Sequence, residues 1–111
     1  MILRDIAHCR SGDKGDTANI SVIAYEDKDY ELLVKEVTPE RVAEHLRDSV
    51  KGTVIRYELP RLGALNLVLT HALSGGVVGS LALDAHGKSL GSALLSLPIG
   101  SHTNNQTSKL G

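Results

Sequence analysis

The alternation of apolar and polar residues along the chain predicts several short β-strands. In residues 17–25, one face carries Ala18, Ile20, Val22 and Ala24. The opposite face is also partly apolar, so this strand is predicted to lie inside a sheet. The same alternation and β-branched content predict further strands at residues 3–10, 53–59 and 77–84, with a short last strand at 97–99.

Helical spacing of apolar residues and a capping signal predict three helices. Residues 29–36 carry their apolar side chains at helical spacing. Thr38 is a good N-cap residue and is followed by Pro39 and Glu40, which favour the first turn of a helix. A second helix is therefore predicted from this point to about Asp48, and a third at residues 88–95.

Residues 62–73 fit two interpretations. Leu65, Leu69 and Leu73 lie on one face of a helix, and the glycines that follow are typical of a helix end. The run at residues 67–69 could equally form a strand. The leucine spacing favours the helix.

The order of these elements indicates an α+β fold. A ferredoxin-like arrangement, with a mainly antiparallel sheet of about four strands and helices on one face, fits that order. Residues 1–100 are predicted to form a single domain. Residues 101–111 contain one large apolar residue, Leu110, and are predicted to be a disordered polar tail. The second face of the sheet needs a cover, which in small chains is often a second subunit.

Composition narrows the function classes. The 111 residues are 41% hydrophobic and only 3% aromatic, so the core of this one domain must be aliphatic. A net charge of −1 argues against nucleic-acid binding, which needs a basic surface. No apolar run approaches the length of a membrane span, and the single cysteine excludes an internal disulfide. We expect a cytoplasmic protein without nucleic-acid or membrane partners.

The densest polar cluster is the sequence Ser-Gly-Asp-Lys-Gly-Asp at residues 11–16, which is predicted to be a loop. Lys14 could hold an anionic group, and the glycines would let a ligand approach the backbone. Asp13 and Asp16 could bind a hard cation or orient Lys14. A solvated connection between two strands is the favoured interpretation from these residues alone. The phosphate-loop, dinucleotide and calcium motifs are all absent, so neither a metal nor a cofactor is predicted.

His8 and Cys9 do not form a predicted nucleophile and base, because neighbouring residues of a strand point to opposite faces. Cys9 is predicted to pack in the core. His8 and Arg10 share a face, and Asn19 could join them from the neighbouring strand. With Lys14, this group would suit a carboxylate, a phosphate or an acyl-CoA, or else would support the loop by hydrogen bonds.

Two further polar features are given structural interpretations. Arg56 and Glu58 are predicted to form a cross-strand charge pair. Asn66 lies inside an apolar run and is predicted to cap backbone groups.

Together these residues are similar to a known family. Residues 7–20 resemble the signature A-H-x-R-S-G-D-K-G-D-x-x-N-I of the AtuA-like domain, which occurs in the acyclic terpene utilisation family. Shorter runs resemble the same family in the same order, and the resemblance covers roughly residues 3–99. These runs are Arg-Tyr-Glu-Leu-Pro at 56–60, Ala-Leu-Asn at 64–66, Gly75 with Gly76, and Asp84 with Gly87 and Lys88.

The resemblance implies a ferredoxin-like fold and a ligand-binding site, but it implies no particular reaction, so whether the chain is an enzyme stays open. The site residues that it implies are Arg10, Ser11, Asp13, Lys14, Asp16 and Asn19. In many relatives a larger region precedes this domain. The implied role is therefore a small accessory subunit or domain in terpenoid or branched-chain acyl-CoA breakdown, with a larger AtuA-type polypeptide as partner. The alternative is a homodimeric module that binds an acyl-CoA or another anion without catalysis.

Overall fold

The computed structural model describes residues 1–72 and 90–100. This part of the chain contains one antiparallel sheet of four strands in the order β1-β2-β4-β3. The strands are β1 (Ala7–Lys14), β2 (Thr17–Ala24), β3 (Val54–Leu59) and β4 (Ala64–Leu69). The helices are α1 (Tyr30–Glu36), α2 (Pro39–His45) and α3 (Leu90–Leu94), and short 3₁₀ turns occupy Leu3–Asp5, Asp27–Asp29 and Pro60–Leu62. The predicted α+β, ferredoxin-like fold class is confirmed.

The core lies between one face of the sheet and the helices. β2 contributes Ile20 and Val22, and β4 contributes Leu65, Leu67 and Leu69, all fully buried. The helices cover these side chains with residues such as Leu33, Val37, Val42 and Leu94. As predicted, the core is aliphatic, and each of these buried side chains contributes about 1.5–3 kcal/mol. No helix among the described residues is long and apolar enough to cross a membrane.

The N-terminus of α2 has the predicted cap. The hydroxyl of Thr38 accepts a hydrogen bond of 3.1 Å from the backbone N–H of Arg41, and Pro39 is the first helical residue. α2 ends at His45, three residues before the predicted end near Asp48. α1 lies within the predicted residues 29–36.

Residues 62–73 do not form the predicted helix. Residues 64–69 are instead strand β4, which lies between β2 and β3. A spacing of four residues fits both a helical face and every second position of a strand, so Leu65 and Leu69 could not distinguish the two. Leu67 decides between them, because it is also fully buried on the same face.

The polar residues 11–16 do not form the predicted loop. β1 begins at Ala7, after a 3₁₀ turn, and continues through Lys14, which pairs with Thr17 of β2. The hairpin connection is only Gly15 and Asp16, and Gly15 has a positive φ of 65°. β2 offers a complete row of backbone partners, so the ladder with β1 extends through residues of low strand propensity.

Several predictions concern residues outside the described part of the chain. These are the strand at 77–84, the first two residues of the helix at 88–95, and the polar tail at 101–111. The rest of that helix is present as α3. The predicted last strand at 97–99 is reduced to one bridge between Pro98 and Ile2, with a further hydrogen bond from Ile99 N–H to the Met1 carbonyl.

A buried ion pair holds residues 98–100 against the helices. Glu36 is 2% exposed and accepts a hydrogen bond of 2.8 Å from the guanidinium of Arg41. The same guanidinium donates to the backbone carbonyls of Glu36 and Pro98, and the Gly100 N–H donates to the Glu36 carboxylate. These contacts satisfy the buried charge and fix the last described residues in the helical layer.

Arg56 stabilises the end of α1. Its Nη1 donates to the carbonyls of Val34 and Val37 at 2.8 and 2.9 Å, and its Nη2 donates to Glu58 at 2.9 Å. The predicted charge pair therefore exists, but it joins two residues of one strand rather than two strands. The guanidinium satisfies carbonyls that the helix end leaves without partners.

We expect Arg56→Leu to lower the free energy of unfolding by about 2 kcal/mol, because two carbonyls lose a charged donor. Urea unfolding followed by circular dichroism measures this change. Arg61→Leu is the matched control, since Arg61 is exposed, and it should change stability by no more than about 0.5 kcal/mol. Equal effects of the two substitutions would contradict the capping role.

Candidate functional site

The face of the sheet that points away from the helices is exposed. On β3, Ile55 and Tyr57 are 44% and 52% exposed. In the part of the chain that the structure describes, the helices cover only the opposite face. We call this second surface the open face. Strand alternation assigns to it His8, Arg10, Gly12, Lys14, Thr17, Asn19, Ser21, Ile23, Ile55, Tyr57, Leu59, Ala64, Asn66 and Val68.

A row of polar residues crosses the open face through all four strands. Arg10 pairs with Ser21, Ser21 with Asn66, and Asn66 with Tyr57. We call these four residues the polar row. Asn66, which was predicted to cap backbone groups, thus lies on the open face between two polar neighbours, Ser21 and Tyr57. The position of Asn66 inside an apolar run was a signal in the sequence that could have identified it as a site residue. The polar row itself could be recognised only once the strand register was known.

The six predicted site residues do not form one cluster. Arg10, Lys14 and Asn19 lie on the open face. The sequence predicts that His8 and Arg10 share one face and that Asn19 could join them there. Ser11 and Asp13 belong to the other side of β1. Ser11 lies against α3, where a Cβ atom at Gly91 would be only 3.4 Å from the Ser11 hydroxyl and 3.3 Å from the Cβ of Cys9.

Asp16 lies in the hairpin turn and contacts the segment after β4. Its carboxylate is 3.0 Å from Nδ1 of His71, and its carbonyl accepts a hydrogen bond from the N–H of Ala72. Both side chains of this contact are largely exposed. Asp16 therefore fixes the hairpin to the end of β4 rather than facing the other predicted site residues.

A shallow cleft of about 530 Å³ lies on the open face near the hairpin. It is lined by Gly12, Asp13, Lys14, Thr17, Ala18, Asn19 and Val68. A Cβ atom at Gly12 would be 3.8 Å from Oδ1 of Asn19, so the amide of Asn19 lies beside a position without a side chain. Because Gly12 has no side chain, the space beside the Asn19 amide stays unfilled.

The cleft lies between two cationic side chains, and Asp13 is also among its lining residues. Arg10 and Lys14 flank Gly12 on the same face of β1, and both are exposed. Within the described residues neither forms an ion pair. Two such cations next to an amide suit a carboxylate or a phosphate.

His8 lies at the other end of the open face, stacked on the ring of Tyr25. The ring centroids are 5.5 Å apart and the planes differ by 26°. Nδ1 of His8 is buried without a hydrogen-bond partner in the described part of the chain. Cys9 points to the opposite side, so the two do not pair. In residues 1–72 and 90–100, no group of three His, Cys, Asp or Glu side chains could hold a metal ion.

A comparison with known protein families gives a match over nearly the whole chain. The family model for the AtuA ferredoxin-like domain matches residues 1–100. The chain belongs to this family. Comparisons with curated proteins and with solved structures find no match. In this AtuA ferredoxin-like domain, the runs at residues 7–20, 56–60 and 64–66 each contribute side chains to the open face, where the sheet brings them together.

We expect the thiol of Cys9 to be unreactive in the folded protein. Burial raises its pKa from 9.0 to about 12, which lowers the thiolate fraction near pH 8 about a thousandfold. Iodoacetamide at pH 8 should therefore label Cys9 far more slowly in native than in denatured protein. Labelling at equal rates would contradict this burial. Because the folded pKa is the higher one, this group's contribution to stability should be lost as the pH rises from 9 towards 12.

Proposed function

We propose that this AtuA ferredoxin-like domain is a cytoplasmic accessory subunit or domain that binds an anionic small molecule, such as an acyl-CoA, on its open face. Its process would be terpenoid or branched-chain acyl-CoA breakdown. The observation that carries the proposal is the cleft at Gly12, flanked by Arg10 and Lys14, neither of which forms an ion pair within the described residues. Binding, rather than a particular reaction, is what this geometry supports.

Five side chains in or near the cleft have a chemical role in this proposal. Arg10 can bind a carboxylate or phosphate through two parallel hydrogen bonds, whereas Lys14 acts as a point charge. Their Cα atoms are four residues apart on one strand, a separation of about 13 Å, so both can turn towards a ligand above Gly12. Asn19 offers an amide donor and acceptor between them. Val68 and Ile55 continue the same row of the sheet and supply an apolar surface for the rest of the ligand.

The proposed partner is a larger AtuA-type polypeptide that shares this site. The cleft is shallow and opens along an exposed sheet face, so a ligand bound there would keep much of its surface in water. Small-molecule sites usually enclose most of the ligand. A second protein surface placed over the open face would provide that enclosure.

Thermal unfolding with a panel of CoA esters, nucleotides and carboxylates tests the ligand site. At a hundred times its Kd, a ligand stabilises the fold by about 2.7 kcal/mol, which should raise Tm by about 10 °C or more. Lys14→Ala should abolish most of this rise. Lys35→Ala is the matched control, because Lys35 is exposed on α1, and it should leave the rise unchanged. The absence of any rise that depends on Lys14 would contradict the proposal.

Purification from the native host tests the partner. We expect a tagged chain to recover a larger AtuA-type polypeptide, identified by mass spectrometry. Arg10→Ala combined with Tyr57→Ala should reduce the recovery, since both residues lie on the open face. Repeated recovery of the small protein alone would contradict a shared site.

A homodimeric binding module without catalysis is the second candidate function. The observation that favours it is the exposure of aromatic and aliphatic side chains beside the cleft. Ile55, Tyr57 and Leu59 all point from β3 into solvent. Such a surface is more typical of a protein interface than of a free monomer.

A further inference from the structure

We propose that the open face packs against the open face of a second copy of this chain, about a two-fold axis parallel to the strands. The inference deepens the homodimeric form of the proposed function, but it requires no ligand. Its first support is the distribution of exposed large hydrophobic residues. Of the six in the described residues, four lie on the open face: Ile55, Tyr57 and Leu59 by strand alternation, and Tyr25 by its stacking on His8.

The order of the strands makes the face self-complementary. A two-fold axis parallel to the strands places β1 over β3 of the second copy, and β2 over β4 of the second copy. Residues of one row then face residues of the same row. In the polar row, Arg10 faces Tyr57 of the second copy and Ser21 faces Asn66, each pair twice per dimer. These pairs can form cation–π contacts and hydrogen bonds.

The flanking rows match large side chains with small ones. One row runs from Gly12 through Asn19 and Val68 to Ile55, so Ile55 would pack over Gly12 of the second copy. The other row runs from His8 through Ile23 and Ala64 to Leu59, so Ile23 would pack over Ala64. Packed sheets of this kind align to within about 30°, which keeps the central rows in contact.

The charges select this axis over the alternative. Arg10 and Lys14 both belong to β1, at one edge of the sheet. A two-fold axis across the strands would stack β1 on β1 and bring four cations together. The axis parallel to the strands places the two copies of β1 at opposite edges, three strand spacings or about 14 Å apart.

The available area corresponds to a small interface. β3 and β4 are each six residues long, so four strands spaced about 4.8 Å apart form a flat face of about 400 Å². Two such faces with their projecting side chains, together with Tyr25 and Leu62 at the rim, approach the total of about 1,000 Å² that a specific interface needs.

The second copy would also contribute a residue to the ligand site. Ile55 of that copy would occupy the space over Gly12, so a ligand in the dimer would be confined to the outer end of the cleft beside Lys14 and Thr17. Lys14 lies in the outermost row with Thr17, next to the hairpin, so its end of the cleft would stay open to solvent. The dimer would therefore enclose a ligand from one side and still allow it to enter.

Light scattering after size exclusion tests the dimer. We expect the full chain to elute at twice its monomer mass at micromolar concentrations. Ile55→Lys should raise the dissociation constant of the dimer by at least about 100-fold. The new cation would lie opposite Gly12 of the second copy, between the cations of Arg10 and Lys14. Glu31→Lys introduces the same residue at an exposed position of α1 and should leave the dimer intact. Circular dichroism checks that both variants are folded.

Chemical cross-linking tests the arrangement itself. Packed sheets lie about 10 Å apart, which is too far for a disulfide but within the span of a short bismaleimide. A chain with both Gly12→Cys and Ile55→Cys should therefore form covalent dimers with a bismaleimide whose spacer is about 8 Å long. Gly12 has room for the new side chain, since the nearest atom to an added Cβ is 3.8 Å away. The two positions lie on opposite edge strands of one copy, about 14 Å apart, so this reagent cannot join them within a chain. Each single substitution is a control that should give no covalent dimer.

A monomer at all concentrations, a dimer that resists Ile55→Lys, or a failure of the double variant to cross-link would each overturn this proposal. So would a monomer whose open face is occupied by a larger polypeptide in the native host. The ligand panel, repeated on the wild-type dimer, separates the two proposals. A dimer with no ligand-induced rise in Tm would contradict only the ligand site.

Discussion

The antiparallel pairing of β2 with β4 is the constraint on which the rest of the structure depends. Ile20 lies opposite Leu67 and Val22 opposite Leu65, so the apolar side chains of both central strands enter one core. The same register necessarily places Ser21 opposite Asn66 on the other face. A slip of one residue would expose the leucines and bury the polar pair. The core therefore fixes the position of the candidate site, although no site residue belongs to it.

The sequence predicted correctly those helices and strands that are determined by residues near each other in the chain. Thr38 and Pro39 start α2 by capping chemistry, and the alternation in β3 correctly placed Ile55, Tyr57 and Leu59 on one face. β4 was mistaken for a helix because its leucine spacing suits both structures. The extension of β1 through residues 11–14 depends on backbone partners from β2, which no local propensity reveals.

The site was predictable only in part for the same reason. Strand alternation correctly placed His8, Arg10 and Asn19 on one face, but the family resemblance grouped Ser11 and Asp13 with Arg10 and Asn19. Once these residues are in a strand, their side chains must point to opposite sides of the sheet. Ser21, Tyr57 and Asn66 join Arg10 through contacts between strands distant in sequence, so the polar row appears only when the register is known.

The close contact between α3 and β1 links the two sides of the sheet mechanically. At Gly91 an added methyl group would lie 3.3 Å from Cβ of Cys9, on the strand whose next residue is Arg10. Neighbouring atoms would have to shift by a few tenths of an ångström, and β1, as an edge strand of the described sheet, has one strand partner to resist that shift. A larger residue at position 91 would therefore displace the strand that carries Arg10, although position 91 belongs to the helical layer on the opposite side of the sheet.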